Sequence, residues 1–291
     1  NYQSVAECSI KKNAHCRSRL LFICFKVKND NVKALFFDID GTLVSFKTHQ
    51  IPQSTIDAIA QAKANGVGVF ISTGRPLPII TNLKAIEQYI DGYITTNGAL
   101  CIVDGKAICC NPIPMADVDV MMADAEKKDY TCIVVGEKRI GVYNPKQVYY
   151  DVFVRDLAVQ NIDMDIDVKD IMRNEQILQL TPFFSAEYEK EIMEKMPGCV
   201  SGRWNPTFTD ITAEQADKGK GLETMAQYQD LNISETMAFG DGGNDESILR
   251  RAGIGVAMGN AGDEARAAAD YITTSVDDDG VKNALEHFGV I

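Results

Sequence analysis

At 291 residues the chain is long enough for two domains, or for one domain carrying a large insertion. Its 45% hydrophobic and 24% charged residues describe an ordinary globular composition with enough apolar side chains for a sizeable core, which excludes wholesale disorder. A formal net charge of −12 excludes non-specific binding to nucleic acid or to an anionic membrane, both of which require basic surface.

The charge is unevenly distributed. Residues 1–33 hold seven Lys and Arg against Glu7 and Asp30, together with Cys8, Cys16 and Cys24. The apolar run Leu20–Phe25 is too short to cross a bilayer at roughly 20 residues per span, and no small-residue cleavage signal follows it. Residues 1–31 are therefore expected to be an extension that takes no part in the fold. The later cysteines, Cys101, Cys109, Cys110, Cys132 and Cys199, form no C-x-x-C pair, which predicts reduced thiols and a cytoplasmic protein. His15, His49 and His287 are scattered and make no metal site with one another.

The first strand is predicted over Val32–Asp38, where Ala34-Leu35-Phe36-Phe37 is continuously apolar, as in a strand buried on both faces of a parallel sheet. A helix opens at Pro52, carries Ile56, Ile59 and Ala60 at helical spacing, and closes at Gly66. Val67–Ile71 reads as a second buried strand, Leu77–Tyr89 as a helix and Tyr93–Thr96 as a third strand. This alternation predicts an α/β fold with a Rossmann-like, doubly wound parallel sheet. Between 113 and 213 the rhythm changes to short strand-like pieces (Cys132–Val135, Gly141–Tyr143, Ile177–Leu180, Val200–Trp204, Thr207–Ile211) with amphipathic helices such as Ala186–Met196. That stretch is expected to be an α+β domain inserted into a core made of 32–112 and 214–291. The α/β pattern then resumes with strands at Thr236–Phe239 and Ile254–Ala257, helices at Asn244–Ala252 and Gly262–Ala269, an edge strand at Tyr271-Ile272 and a closing helix at Gly280–Phe288.

Four clusters stand where a core strand ends or a core helix begins, the place where open α/β sheets bind their ligands. Asp38-Ile39-Asp40-Gly41-Thr42 puts two carboxylates at the end of a buried strand, an unfavourable position unless they hold a cation or share a proton. An acidic turn or the start of a calcium loop are the competing readings, and the further ligands of such a loop are missing. Ser72-Thr73-Gly74-Arg75 offers a hydroxyl and glycine-freed N–H groups suited to phosphate oxygens, although alone it is equally a helix-capping turn. Lys218, opening a helix, is placed to neutralise developing negative charge, with Lys220 as its rival. Gly240-Asp241-Gly242-Gly243-Asn244-Asp245 lacks the third glycine of a dinucleotide fingerprint and puts a carboxylate where a pyrophosphate would sit. It fits metal binding by Asp241 and Asp245 better, with Asn244 free for a substrate oxygen.

Taken in this order, the four clusters resemble those of the haloacid dehalogenase-like superfamily, and more narrowly the Cof-type sugar phosphatases of subfamily IIB, over about residues 32–291. Thr96-Asn97-Gly98-Ala99 and Gly255–Ala261 are also similar. The resemblance implies Asp38 as nucleophile and Asp40 as general acid and then base. It implies Lys218 and Thr73 at the phosphoryl group, and Mg²⁺ held by Asp38, the Asp40 carbonyl and Asp241, with Asp245 as an outer ligand. Thr42, Gly74, Arg75, Asn97 and Asn244 join the substrate-binding set, with pairing to a carboxylate as the alternative for Arg75. Arg203 and Trp204, in the insertion, are expected to reach over the site, or in the case of Trp204 to pack inside the insertion. The expected activity is Mg²⁺-dependent hydrolysis of small phosphate monoesters, sugar phosphates foremost, by a monomer. A phosphomutase or a non-catalytic binding protein remains as an alternative, whereas a dehalogenase would need neither an acid at Asp40 nor a metal.

Overall fold

The computed structural model describes residues 32–157, 159 and 162–291; the expected extension over 1–31 lies outside the described residues. Strand β1 (Ala34–Phe37) is wholly buried, as its unbroken apolar run requires. Helix α1 (Gln53–Ala64) buries Thr55, Ala58, Ile59 and Ala62, a single stripe at helical spacing, and delivers the chain to β2 (Gly68–Ser72), which pairs parallel with β1.

The helix expected over Leu77–Tyr89 is absent. Two single 3₁₀ turns, Leu77–Ile79 and Glu87–Tyr89, stand in its place. Ile79, Leu83 and Ile86 are buried at helical spacing and so mimic the pattern, but Pro76 and Pro78 remove donors and Pro78 restricts Leu77, so no helix can propagate. Strand β3 (Gly92–Thr95) continues the parallel sheet, and β4 (Leu100–Val103) and β5 (Lys106–Cys110) extend it antiparallel. The sequence reading missed this hairpin, although its signal is plain. Asp104 and Gly105 both take positive φ (50° and 71°), as a two-residue Asp-Gly turn between apolar runs demands.

The chain then builds a second sheet. It comprises α2 (Met115–Lys128), β6 (Cys132–Gly136), β7 (Ile140–Tyr143), a π-helical segment Tyr149–Asp156, α3 (Val168–Asn174), β8 (Ile177–Pro182), α4 (Ala186–Met193), β9 (Cys199–Asn205) and β10 (Phe208–Ala213). The strand order is β7-β6-β8-β10-β9, antiparallel throughout. One face buries Val134, Leu180 and Ile211 against α2, α3 and α4. The other carries Ile133, Val135, Val142 and Phe208 toward Tyr149, Phe183 and, in the α/β part, Ile79, Ala99 and Leu100.

The return crossing adds α5 (Lys218–Tyr228), β11 (Thr236–Gly240), α6 (Glu246–Arg251), β12 (Ile254–Ala257), α7 (Asp263–Ala268), β13 (Tyr271–Ile272) and α8 (Gly280–His287). The first sheet thus reads β13-β12-β11-β1-β2-β3-β4-β5, parallel from β13 to β3. Leu35, Phe37, Ile59 and Ile71 pack on one face with α1 and α8, and Phe36, Phe70, Leu222 and Ile248 pack on the other with α5 and α6, so helices cover both sides. Strand β1 sits between β2 and β11, which brings three strand ends from distant parts of the chain side by side. Among the described residues no helix is long and apolar enough to cross a membrane.

Candidate active site

The site begins where β1 runs out. The Asp38 N–H still donates to the Phe239 carbonyl of β11 at 3.0 Å, after which the backbone folds back on itself. Leu43 and Val44 both donate to the Ile39 carbonyl, and Gly41 donates to Val44. Gly41 has φ +82°, and a Cβ there would stand 2.2 Å from Asp241 Oδ2, so only glycine lets the β1 loop approach the β11 loop this closely. Two side chains hold the approach. Thr42 Oγ1 donates to Asp241 Oδ1 at 3.2 Å, and Asn260 Nδ2 donates to the Gly41 carbonyl at 2.8 Å. Asn260, inside the stretch 255–261, was not picked out by sequence reasoning.

Lys218, the first residue of α5, is 1% exposed and lies between two carboxylates, its Nζ 2.8 Å from Asp38 Oδ1 and 2.6 Å from Asp245 Oδ1. Asp245 completes the turn after β11 by accepting the N–H groups of Asp241 and Gly242 through Oδ2, both at 3.0 Å. It therefore anchors the lysine and staples the turn, more than a water-mediated ligand would need to do. Burial disfavours the Lys218 ammonium, but Asp245 and Asp38 outweigh it and its pKa is raised. Lys220 points elsewhere, its Nζ 3.4 Å from Gln215 Oε1, which removes it as a rival.

Carboxylate oxygens of Asp38, Asp241 and Asp245 lie within 4.8 Å of one another. Three carboxylates against one ammonium leave an excess of negative charge. Burial, reinforced by Asp245, pushes the Asp241 carboxyl up to about 7, and burial together with Asp245 raises that of Asp38 well above the ordinary range. Clustered hard oxygen ligands with uncompensated negative charge suit a small divalent cation, so these residues fit Mg²⁺. The Asp40 side chain stands apart from this group, gripped by Arg75 through Nε (2.7 Å to Oδ2) and Nη2 (2.8 Å to Oδ1). Arg75 is thus a partner of Asp40 here, and its planar fork fixes that carboxylate.

The turn after β2 supplies a cradle. Thr73, buried, donates its N–H to Ile94, and its hydroxyl accepts the Arg75 N–H at 3.1 Å. Asn97, at φ 53°, donates its own N–H to the Thr73 carbonyl and accepts Asn244 Nδ2 at 3.0 Å. Gly74 lies beneath this bridge, where a Cβ would stand 3.1 Å from Asn97 Oδ1. Beside the cradle lies a cleft of about 480 Å³ lined by Asn97, Lys218 and Asn244, by Arg250 and Arg251, and by Gly202, Asp210 and Thr212 of the second sheet. It meets the catalytic cluster at Lys218, while Asp38, Asp40, Thr73 and Asp241 do not line it.

The two candidates in the insertion fare differently from expectation. Arg203 is committed within the second sheet's own surroundings, with Nε 2.5 Å from Glu189 Oε2 and its Nη atoms on the carbonyls of Phe184, Asn205 and Pro206. With its donors engaged there it does not line the cleft, which corrects the expectation that it reaches over the site. Trp204 is 61% exposed rather than packed inside; its indole meets Phe208 edge-on, and Nε1 donates to Asp210 Oδ2 at 2.8 Å. Asp210 itself was not foreseen.

A doubly wound sheet whose strand ends gather clustered aspartates, a buried lysine and a hydroxyl turn suits an enzyme of the phosphoryl-transfer class. The comparisons agree: a family profile described as haloacid dehalogenase-like hydrolase matches residues 35–285, and the chain belongs to that family, in its subclass IIB. A solved structure described as the HAD subclass IIB sugar phosphatase BT4131 is 47% identical, covering 89% of this chain and 100% of its own, with a TM-score of 0.82. The phosphatase BT1666 from Bacteroides thetaiotaomicron is 35% identical over 90% of this chain and 97% of its own, with a TM-score of 0.81. The 5-amino-6-(5-phospho-D-ribitylamino)uracil phosphatase YcsE of Bacillus subtilis is 29% identical over 89% of this chain and 96% of its own. The chain is a phosphatase of this superfamily.

Proposed function

We propose that the chain hydrolyses phosphate monoesters of small polyhydroxylated metabolites, sugar phosphates foremost, in a Mg²⁺-dependent reaction through an aspartyl-phosphate on Asp38. The observation that carries this reading is the pairing of one buried carboxylate, Asp38, fixed by Lys218, with a second carboxylate two residues on, Asp40, held separately by Arg75. In the first half-reaction an Asp38 oxygen attacks phosphorus in line while the ester P–O bond breaks, and Asp40 gives its proton to the departing alkoxide. In the second, Asp40 takes a proton from water, the water oxygen attacks phosphorus, the Asp38–phosphorus bond breaks and inorganic phosphate leaves. Lys218 neutralises charge on the transferring group, and Thr73 with the adjacent N–H groups orients it. Asp38 and Asp241, with the Asp40 carbonyl, would hold Mg²⁺, which when bound supplies charge neutralisation at the phosphoryl oxygens.

Residues 113–213 serve in this reading as a cap whose movement admits the substrate and excludes water, so a second subunit is not required for closure. The sugar preference is supported by the sugar phosphatase at 47% identity and by the ribitylamino substrate in the name of YcsE.

A phosphate-release screen over metabolite monoesters, with Mg²⁺ and with EDTA, tests the proposal. Wild type should turn over sugar phosphates only with the metal, and Asp38→Asn should lose at least about 10⁴-fold in kcat while remaining folded. Activity surviving in Asp38→Asn would remove the nucleophile, and a requirement for a sugar bisphosphate activator would identify a mutase.

A further inference from the structure

The cap wall of the cleft carries a polar island that the steps above do not use. Asp210, on β10, faces the cleft and is held by three neutral donors. Gln179 Nε2 (2.9 Å) and Thr181 Oγ1 (2.7 Å), both from β8, donate to Oδ1, and Trp204 Nε1 (2.8 Å), from β9, donates to Oδ2. Gln179 Nε2 also donates to Thr181 Oγ1 at 3.0 Å. Among the described residues no lysine or arginine pairs with this carboxylate, although burial raises its pKa against the pull of Trp204 and Thr181.

A count of donors and acceptors shows what is left over. Both amide hydrogens of Gln179, the hydroxyl hydrogen of Thr181 and the indole hydrogen of Trp204 are all engaged. What remains open toward the cleft is a lone pair on Asp210 Oδ2. Gln179 Oε1 also lacks a partner among the described residues, but it is buried, on a residue only 5% exposed that does not line the cleft. Native proteins rarely leave a buried acceptor unmet. The island therefore lacks donors and has none to give.

We propose that Asp210, oriented by Gln179, Thr181 and Trp204, is a specificity residue of the cap that accepts a hydrogen bond from a hydroxyl group of the leaving group and so favours sugar or polyol phosphates. The proposal rests on the phosphatase reading above and names the part of the substrate that the catalytic residues ignore. An apolar alcohol would leave the open lone pair of Asp210 Oδ2 unmet. Trp204 is then a positioning residue that holds Asp210 from the solvent side. A hexose is of a size that the cleft of about 480 Å³ accommodates.

The test is the ratio of kcat/KM for the best hexose phosphate to kcat/KM for p-nitrophenyl phosphate, which brings no hydroxyl to the cap. The ratio is measured for wild type, Asp210→Asn and Gln179→Met, with melting curves for each. The ratio should fall about tenfold or more in both variants, the effect of leaving a substrate hydroxyl without its partner. On wild type, removing single hydroxyls in deoxyhexose phosphates should reproduce the loss at one or two positions, and those analogues should discriminate poorly between wild type and variants. An unchanged ratio in both folded variants overturns the proposal. If Asp210→Asn melts early, Gln179→Met decides, because it keeps Thr181 and Trp204 on Asp210. A wild type inert toward every phosphate monoester would instead overturn the phosphatase reading.

Discussion

Across the cleft, the two walls handle their polar groups in opposite ways. On the α/β side charges are tied to charges. Lys218 is locked between Asp38 and Asp245, Asp40 is gripped by Arg75, and the turn at 241–245 is stapled by its own carboxylate. On the cap side Asp210, the one charged residue of that sheet lining the cleft among the described residues, is held by neutral donors and keeps an open lone pair. The first arrangement is organised before any substrate arrives, as electrostatic catalysis requires; the second is completed only by one. Damage to the α/β wall should therefore slow every substrate alike, whereas damage to the cap wall should change which substrates are used.

The sharpest attempt to break this division is Lys218→Met. It removes the ammonium from among three carboxylates, and kcat should fall by roughly 10³-fold or more on sugar phosphates and on p-nitrophenyl phosphate equally. Leaving Asp38 and Asp245 buried without their cation should also lower stability by about 3–5 kcal/mol, read from denaturant melts. A loss confined to one substrate class would place Lys218 in recognition and erase the contrast.

Metal removal probes the same wall without mutation. In metal-free protein Asp241 is pushed up to about 7, against an ordinary 3.8, so the folded state holds its proton more tightly than the unfolded chain does. A group with a raised folded pKa stabilises most below the unfolded value, and that contribution is lost as pH rises toward 7. Melting temperature in EDTA should accordingly fall between about pH 4 and pH 7, and Mg²⁺ should restore more of it at pH 8 than at pH 5. Asp241→Asn should flatten both trends. A wild type whose melting ignores Mg²⁺ at pH 8 would leave the three carboxylates without their cation.

What was legible in the sequence follows the same division. Asp38 to Thr42 and Gly240 to Asp245 are contiguous because each is one strand and its turn, so the chemistry they carry can be read from a few adjacent letters. Lys218 was readable only by its place at a helix start, since nothing local says that it is buried. The island was not readable. Gln179 and Thr181 are alternate residues of β8, and Asp210 lies 29 residues after Thr181, brought beside it only by the antiparallel register that pairs Ile211 with Leu180 and Thr212 with Gln179. Arg203 misled for the opposite reason. A charged residue beside a lone tryptophan reads as a surface device, whereas the fold places Glu189 and three carbonyls around it. Arg203→Ala should thus lower cap stability by about 1–3 kcal/mol through the stranded Glu189, while the sugar-to-nitrophenyl ratio moves less than about twofold. A large change in that ratio with normal melting would return Arg203 to the cleft.

The finest test is Trp204→Phe. Phenylalanine keeps an aromatic edge against Phe208 but loses the Nε1–H on Asp210 Oδ2, so the change is a single hydrogen bond donated to a carboxylate. Two consequences pull apart. Asp210 gains a second open lone pair, which would help a substrate hydroxyl, but it also loses the contact that fixes its orientation, and Oδ1 is already shared by Gln179 and Thr181. Because recognition by one carboxylate oxygen depends on its orientation more than on how many of its lone pairs are open, the loss of orientation should dominate. The sugar-to-nitrophenyl ratio should fall by about twofold to fivefold, less than for Asp210→Asn, with stability lower by about 1 kcal/mol. A ratio that rises would mean that Trp204 competes with the substrate for Asp210, and the indole would then be a lid on the acceptor instead of its support.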